Sequence, residues 1–294
     1  MGSLDETVLI AGASGLLGSR MCSFFKKQGF KVIVTYRRNE PKIFDTKYQI
    51  DLTVRDDFEK IKDSVTLVIN CAGYTNIEGN EYFPEKSWLE NVVIPQNLSE
   101  FSKAKGAKFL HVSTDHYKSL KDVPRNENEN FVAINKYGYA KLEAEKIIKN
   151  FNPDALIVRT NFFGKSTSGS ASLLDWVLAQ IESENAIKGF DDVLFSPVSI
   201  NSLIDSIYSL VAKGLSGVYN VSSKEVVSKF EFIEMIFKIL KKDVGKIEKD
   251  SIDNSLGLTI RPKYMALDAT KFEKEASRKI PNIHDMLISE LMVI

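Results

Sequence analysis

Cysteine, histidine and net charge are all scarce in this sequence. Its 294 residues hold two cysteines and three histidines, and 39 Lys plus Arg are balanced by 39 Asp plus Glu. Cys22 falls in a helical pattern and Cys71 at the end of a buried strand, where a free thiol behaves as a small hydrophobe, so both read as reduced and structural. No His, Cys and carboxylate residues share a metal-ligand spacing, so no metal site is expected. A neutral chain lacks the field that gathers nucleic acid or an anionic membrane, which points to a small ligand and still allows a local basic pocket for a phosphorylated one. No window approaches the roughly 18 apolar residues that span a bilayer. The opening MGSLDET has neither a basic start nor an apolar run, so export is not expected and a cytoplasmic location is. A G-x-S-x-G elbow is missing too, which removes the usual serine-hydrolase reading.

What is present is an ordinary globular composition, 44% apolar and 27% charged. The length fits one large α/β domain with a smaller lobe, since single cores stop growing near about 250 to 300 residues. Apolar, β-branched runs at Thr7 to Ala11, Lys31 to Tyr36, Thr66 to Asn70, Lys108 to Val112 and Ala155 to Arg159 read as strands. Helical patterns lie between them at Leu16 to Gln28, Asp56 to Lys62, Pro84 to Lys105 and Ala133 to Asn150, three of them closed by a following Gly or Pro. Strands such as VLIA and LVIN are apolar on both faces, as in a parallel sheet covered by helices on each side. The fold expected is therefore a doubly wound α/β (Rossmann) sheet over residues 1–161. After it, residues 162–294 form a smaller α/β substrate lobe, some of whose elements return to the sheet. In that half, Gly164 to Ser170 reads as a loop, Val193 to Phe195 and Gly217 to Val221 as short strands, and Asn201 to Ala212 and Ser228 to Leu240 as helices.

The first strand runs straight into VLIAGASGLLG, with Gly12, Gly15 and Gly18 three apart before an amphipathic helix. Glycine allows positive φ and close approach of backbone amides to a pyrophosphate, and the helix N-terminus favours the anion. Gly12, Ser14, Gly15, Leu16 and Leu17 are the candidate cofactor contacts of this turn, whose spacing resembles the extended short-chain dehydrogenase/reductase pattern. The second strand ends Tyr36-Arg37-Arg38 with no carboxylate before Glu40. Dinucleotide sites that accept a 2′-phosphate place Arg there, so NADPH is the expected cofactor, with NADH left open. Exposed arginines at a strand end would look the same.

Tyr137 and Lys141 in NKYGYAKLEAE are four apart, so on a helix they share a face with Cβ atoms about 5 to 6 Å apart. An ammonium there would stabilise a phenolate and bring the phenol nearer the range in which it exchanges a proton with a substrate oxygen. Many surface helices carry such a pair; its weight comes from following the strand Lys108 to Val112, which ends in Ser113-Thr114-Asp115. Ligands of doubly wound sheets bind at strand carboxyl ends, so the Thr114 hydroxyl is expected beside Tyr137. A helix cap would use the same residues. His111 reads as a packed or locally bonded strand residue, and His116 lies close enough to Thr114 to touch substrate.

With these motifs in order, the chain resembles the dTDP-4-dehydrorhamnose reductase family of extended short-chain reductases over nearly its whole length. NCAGYTNIEGNE, VSTD, KYGYAKLEAE, IVRTNFFG, FSPVSINSL, GVYNVSS and RPKYMALDATKFE all resemble its landmarks. The resemblance implies NADPH-dependent reduction of the 4-keto group of a nucleotide-linked deoxysugar, in dTDP-rhamnose and polysaccharide biosynthesis. It implies Tyr137 as proton donor, Lys141 holding the nicotinamide ribose, and Thr114 orienting the carbonyl. Asp51 and Leu52 would line the adenine, and Cys71, Ala72, Gly73, Tyr74 and Asn91 would border the cofactor. Asp115, His116, Asn161 and Arg261 would join Thr114 around the substrate, with Arg261 opposite its diphosphate. Relatives pair through the helices matching Pro84 to Lys105 and Ala133 to Asn150, which implies a homodimer.

Two departures leave the sugar open. His116 to Leu120 replaces an aromatic and Asp-Gly run, and the Tyr74 segment lacks a usual acidic residue. The family also holds a non-catalytic relative, the regulatory β subunit of methionine adenosyltransferase, so a cofactor-binding regulator is one alternative. Another is an epimerase or dehydratase on the same scaffold, although Asp115-His116 supplies only half of the acidic pair a dehydratase uses.

Overall fold

Seven parallel strands form the central sheet of the computed structural model, which describes residues 6–118, 122–166, 172–183, 186–255 and 257–292. Their order across the sheet is Gly217–Val221, Leu156–Thr160, Lys108–Val112, Leu67–Asn70, Thr7–Ala11, Lys31–Tyr36, Thr46–Gln49. The chain starts in the middle, winds outward to Thr46–Gln49, then returns to lay Leu67–Asn70 against the other side of the first strand. Loops leaving those two central strands diverge, and the crevice between them is where such a sheet takes its ligand. Register keeps the carboxyl ends level: Ala11 lies opposite Asn70, Asn70 opposite His111, and Val112 opposite Val158. Gly12, Cys71, Ser113 and Asn161 therefore leave the sheet at one end.

The doubly wound architecture expected from the apolar strands is the one observed. Thr7–Ala11, Leu67–Asn70 and Leu156–Thr160 are buried throughout, whereas the edge strand Thr46–Gln49 alternates half-buried and exposed. That alternation and its polar TKYQ sequence explain why it is not among the strands expected from apolar runs. On one face, Leu9, Ile33 and Val68 pack with Leu98, Phe101 and Ile148 of the helices Ile94–Ala104 and Lys136–Phe151. On the other, Val8, Leu110 and Val158 share a continuous core with Phe163, Phe195, Phe232 and Leu287. The C-terminal half is thus packed onto the sheet, and Gly217–Val221 joins it as an edge strand. Its remaining short strands pair two by two, Phe162–Phe163 with Val198–Ser199, Leu194–Phe195 with Val227–Ser228, and Ile187–Phe190 with Ile247–Asp250. Part of the expected loop from Gly164 to Ser170 and two of the departing residues, Ser119 and Leu120, lie outside the described residues.

Two helices differ from the sequence pattern for local reasons. The segment Pro84 to Lys105 is not one regular helix but Pro84–Trp88, a wide π-helical turn Leu89–Val93, and Ile94–Ala104. Pro95 has no N–H for the Asn91 carbonyl, so the regular ladder cannot continue through it. The Tyr/Lys helix starts at Lys136 rather than Ala133, because the Asn135 side chain accepts the Gly138 N–H at 2.8 Å and caps it.

Candidate functional site

The glycine turn opens the crevice. Gly12 has φ +77°, and a Cβ on it would meet Cys71 and Ala72 backbone atoms at 2.6 Å, so no other residue lets the first strand's loop pass the fourth strand's. A Cβ on Gly18 would sit 2.2 Å from the Gly12 carbonyl oxygen, which fixes how closely the helix Leu16–Lys27 packs on the turn. Gly15 precedes that helix without a side-chain cap, and its first turn carries no acidic residue. Leu16 and Leu17 thus bring an uncapped helix start, with its favourable dipole, to the cleft wall, a seat for an anion.

The cleft, about 480 Å³, is lined by Gly15, Leu16 and Leu17, by Cys71, Ala72, Gly73 and Asn91, and by Thr114, Asp115, His116, Tyr137, Lys141 and Asn161. Thirteen residues singled out from sequence therefore meet in one hollow. Asn91, in the π-helical turn, spends its amide on the wall itself: its Oδ1 accepts the Tyr74 N–H at 2.9 Å and its Nδ2 donates to the Tyr74 carbonyl at 3.0 Å. Tyr74 does not line the cleft; its ring packs on Gly79 and lies 3.9 Å beneath the Lys86 ammonium. Gly12 sits beneath the turn, and Ser14 borders a neighbouring hollow with Asn39 and Lys42. Arg37 reaches Asp51 at 3.7 Å and Glu90 at 3.2 Å, so the arginine expected for a 2′-phosphate already has two carboxylates beside it. Arg38 is exposed, and Leu52 is buried with its carbonyl accepting from Asn97.

Thr114, Tyr137 and Lys141 converge. Thr114 Oγ1 accepts the His116 N–H at 3.2 Å, leaving its own O–H for the Tyr137 phenol, to which it is hydrogen-bonded. Lys141 Nζ donates to the Val112 carbonyl at 2.8 Å and lies 3.3 Å from His111 Nε2. The proton affinities differ from the simple expectation of a phenol lowered by its ammonium. Burial pushes Tyr137 up to about 12 against the downward pull of Thr114, and pushes Lys141 down to about 8 against Glu145 and Cys71. Desolvation penalises both charged forms, and inside this wall it outweighs the groups that favour them, Thr114 for Tyr137 and Glu145 and Cys71 for Lys141.

Behind the strand end, Glu145 and Arg159 form a buried ion pair at 2.6 Å. Ser113 and Tyr117 donate to the same carboxylate at 2.6 and 3.3 Å. Arg125, fully buried, donates to the carbonyls of Tyr117 at 2.5 Å and Asp115 at 2.9 Å. The segment carrying Thr114 is thereby held from behind at Ser113, Asp115 and Tyr117.

At the far end, Asn161 donates to Asp115 Oδ2 at 2.9 Å, and burial pushes the Asp115 carboxyl up to about 6. Asn135, whose Oδ1 is taken by Gly138, donates from Nδ2 to His116 Nε2 at 2.8 Å and to the Ile260 carbonyl at 2.9 Å. His116 is thereby a neutral Nδ1–H tautomer, and burial lowers its affinity for a second proton to about 4. Arg261 pairs with Glu78 through one terminal nitrogen while its buried Nε has no partner.

A family model for the RmlD substrate-binding domain matches residues 6–291. The chain belongs to that RmlD family. As a member it is 29% identical, over 95% of both chains, to a probable low-salt glycan biosynthesis reductase of Haloferax volcanii. It is 26% identical to a dTDP-4-dehydrorhamnose reductase of Mycolicibacterium smegmatis, over 91% of this chain and 80% of that one. The RmlD-family fold is shared with the Bacillus anthracis dTDP-4-dehydrorhamnose reductase crystallised with NADP, at TM-score 0.87 and 22% identity over the full length of both. Two side chains of this RmlD-family site were not legible as such from sequence. Lys229, half-buried with its ammonium 3.3 Å from the Phe195 ring centroid, is pulled down to about 8 by desolvation against the opposing charge of Asp115. His111 touches Lys141. Lys229 had only its place at a helix start to mark it, and His111 only its place three residues before Thr114.

Proposed function

We propose that the protein is an NADPH-dependent reductase of the 4-keto group of a nucleotide-linked deoxysugar. The observation that carries the reading is the meeting of Thr114, Tyr137 and Lys141 in one cleft with the glycine turn. The residues present suit the cofactor: an uncapped helix start for the pyrophosphate at Gly12, Ser14, Gly15, Leu16 and Leu17, and Arg37 and Arg38 for the 2′-phosphate. Asp51 and Leu52 would border the adenine, while Cys71, Ala72, Gly73, Tyr74 and Asn91 form or brace the wall beside it. Bound there, NADPH supplies hydride to the keto carbon.

The chain's own groups do the rest. Thr114 donates its hydroxyl hydrogen toward the carbonyl oxygen and holds it beside Tyr137. A phenol kept protonated by burial gives its Oη hydrogen to the oxygen as negative charge develops there, and water excluded from the wall strengthens both contacts. Lys141 holds the ribose and its proton steadies the phenolate left behind. Asp115, His116 and Asn161 face the sugar, and Arg261, with an Nε still to be satisfied, faces the diphosphate.

By the same reading residues 1–161 bind cofactor and residues 162–294 close over substrate, with Gly217–Val221 returned to the sheet. A cytoplasmic homodimer completes it, supported by Trp88, Leu89 and Tyr139, which stand exposed on the pairing helices. No helix among the described residues is long and apolar enough to cross a membrane.

The test is oxidation of NADPH on adding dTDP-4-keto-6-deoxy sugars. Cofactor bound yet unchanged across a panel of keto-sugars would replace the reductase with a cofactor-binding regulatory subunit.

A further inference from the structure

Asn70 ends the strand Leu67–Asn70, His111 lies opposite it on Lys108–Val112, and Lys141 reaches His111 from the helix Lys136–Phe151. Asn70 Oδ1 accepts the Ala72 N–H at 2.9 Å, which leaves only its amide nitrogen for His111 Nδ1, 3.0 Å away. An amide nitrogen can only donate, so Nδ1 must carry the lone pair and the ring hydrogen must sit on Nε2. That Nε2–H points at Lys141 Nζ, 3.3 Å away, whose other contact is a donation to the Val112 carbonyl. An ammonium has no lone pair with which to accept; a neutral amine accepts from His111, donates to Val112 and keeps one N–H for the cleft.

We propose that Asn70 and His111 form a locked pair that turns an imidazole N–H onto Lys141 and so makes the neutral amine an accessible state of the active-site lysine. His111 is then a positioning residue, and Asn70 sets its tautomer. Other groups act on the lysine from each side: Glu145 one turn along its own helix, already bound to Arg159 and Ser113, and the Cys71 thiol from the loop after the fourth strand. Both favour the ammonium, while burial opposes it and also keeps His111 far below its ordinary range. When the Tyr137 O–H bond breaks and its proton forms the product hydroxyl, the lysine ammonium returns a proton to the phenolate. The amine left behind gains the His111 N–H as a donor, and solvent water restores its proton. This meaning rests on the reductase reading; the geometry does not.

The chain's three histidines make the test direct. NMR of isotope-labelled imidazole nitrogens in the intact protein should show His111 neutral, with hydrogen on Nε2, through the neutral pH range. Hydrogen on Nδ1, or a protonated ring, overturns the proposal whether or not turnover is ever found. In Asn70→Asp the carboxylate accepts from both Ala72 and Nδ1, reversing the ring so that Nε2 accepts from an ammonium. The alkaline limb of kcat should then rise by roughly one pH unit, a tenfold gain in proton affinity. His111→Phe should raise it less. Lower kcat with an unmoved limb in both variants assigns the pair to packing alone and refutes the proposal.

Discussion

Replacing Glu145 with alanine removes the carboxylate on which the back of the site converges. In the native chain it takes Arg159 Nε at 3.0 and 3.1 Å and Nη2 at 2.6 Å, with the Ser113 and Tyr117 hydroxyls beside them. The variant leaves a guanidinium 4% exposed without its ion-pair partner, and breaking a buried pair from one side costs about 3 to 5 kcal/mol. Ser113 and Tyr117 lose an acceptor at the same time, each worth about 1 kcal/mol. Equilibrium urea unfolding should therefore show a loss of roughly 5 to 7 kcal/mol. The double variant Glu145→Leu with Arg159→Met, which removes both charges, should recover most of it. Losses that simply add, or a single-variant loss below about 1 kcal/mol, would refute the view of this pair as the brace behind Thr114. pH supplies an independent check. Burial works against the Glu145 carboxylate, but the Arg159 charge and the hydrogen bonds of Arg159 and Ser113 together hold it below its ordinary value. A depressed carboxylate contributes stability above its unfolded pKa and loses it as pH falls through the folded one, so the wild-type advantage over Glu145→Leu/Arg159→Met should shrink only in acid.

Three further expectations follow from the same geometry. Tyr137→Phe should bind NADPH with near-native affinity, by fluorescence titration, yet lose about 10² to 10⁴ of kcat; native turnover would take the phenol out of the reaction. Asp115, raised by burial from 3.8 to about 6, binds its proton more tightly folded than unfolded. Stability should therefore fall as pH rises through that window, and Asp115→Asn should gain on wild type across it in thermal unfolding. A constant difference would show that the carboxyl is not desolvated. Arg38→Ala should weaken NADPH on the order of tenfold while leaving NADH nearly unchanged, whereas equal losses for both cofactors would remove Arg38 from the 2′-phosphate.

Local pattern was enough for a good part of this protein. Uninterrupted apolar strands with helices between them dictate a doubly wound parallel sheet, because only burial on both faces suits such strands. The Gly12, Gly15 and Gly18 spacing marks the turn, since a Cβ at Gly12 or Gly18 would collide with backbone. Tyr137 and Lys141 share a helix face by spacing alone, and the strand before them says which end of the sheet they meet. What tertiary packing decided concerns partners far apart in the chain and the dryness of the wall. It moved Arg37 against Asp51 and Glu90, brought Lys229 to Asp115, and set Asn70 to dictate the His111 tautomer. It also reversed the expected direction for Tyr137, raised rather than lowered. Periodicity reports which face of an element is buried. It carries no information on which polar group from another element shares that burial, and proton affinity depends on that neighbour and on the water that packing shuts out.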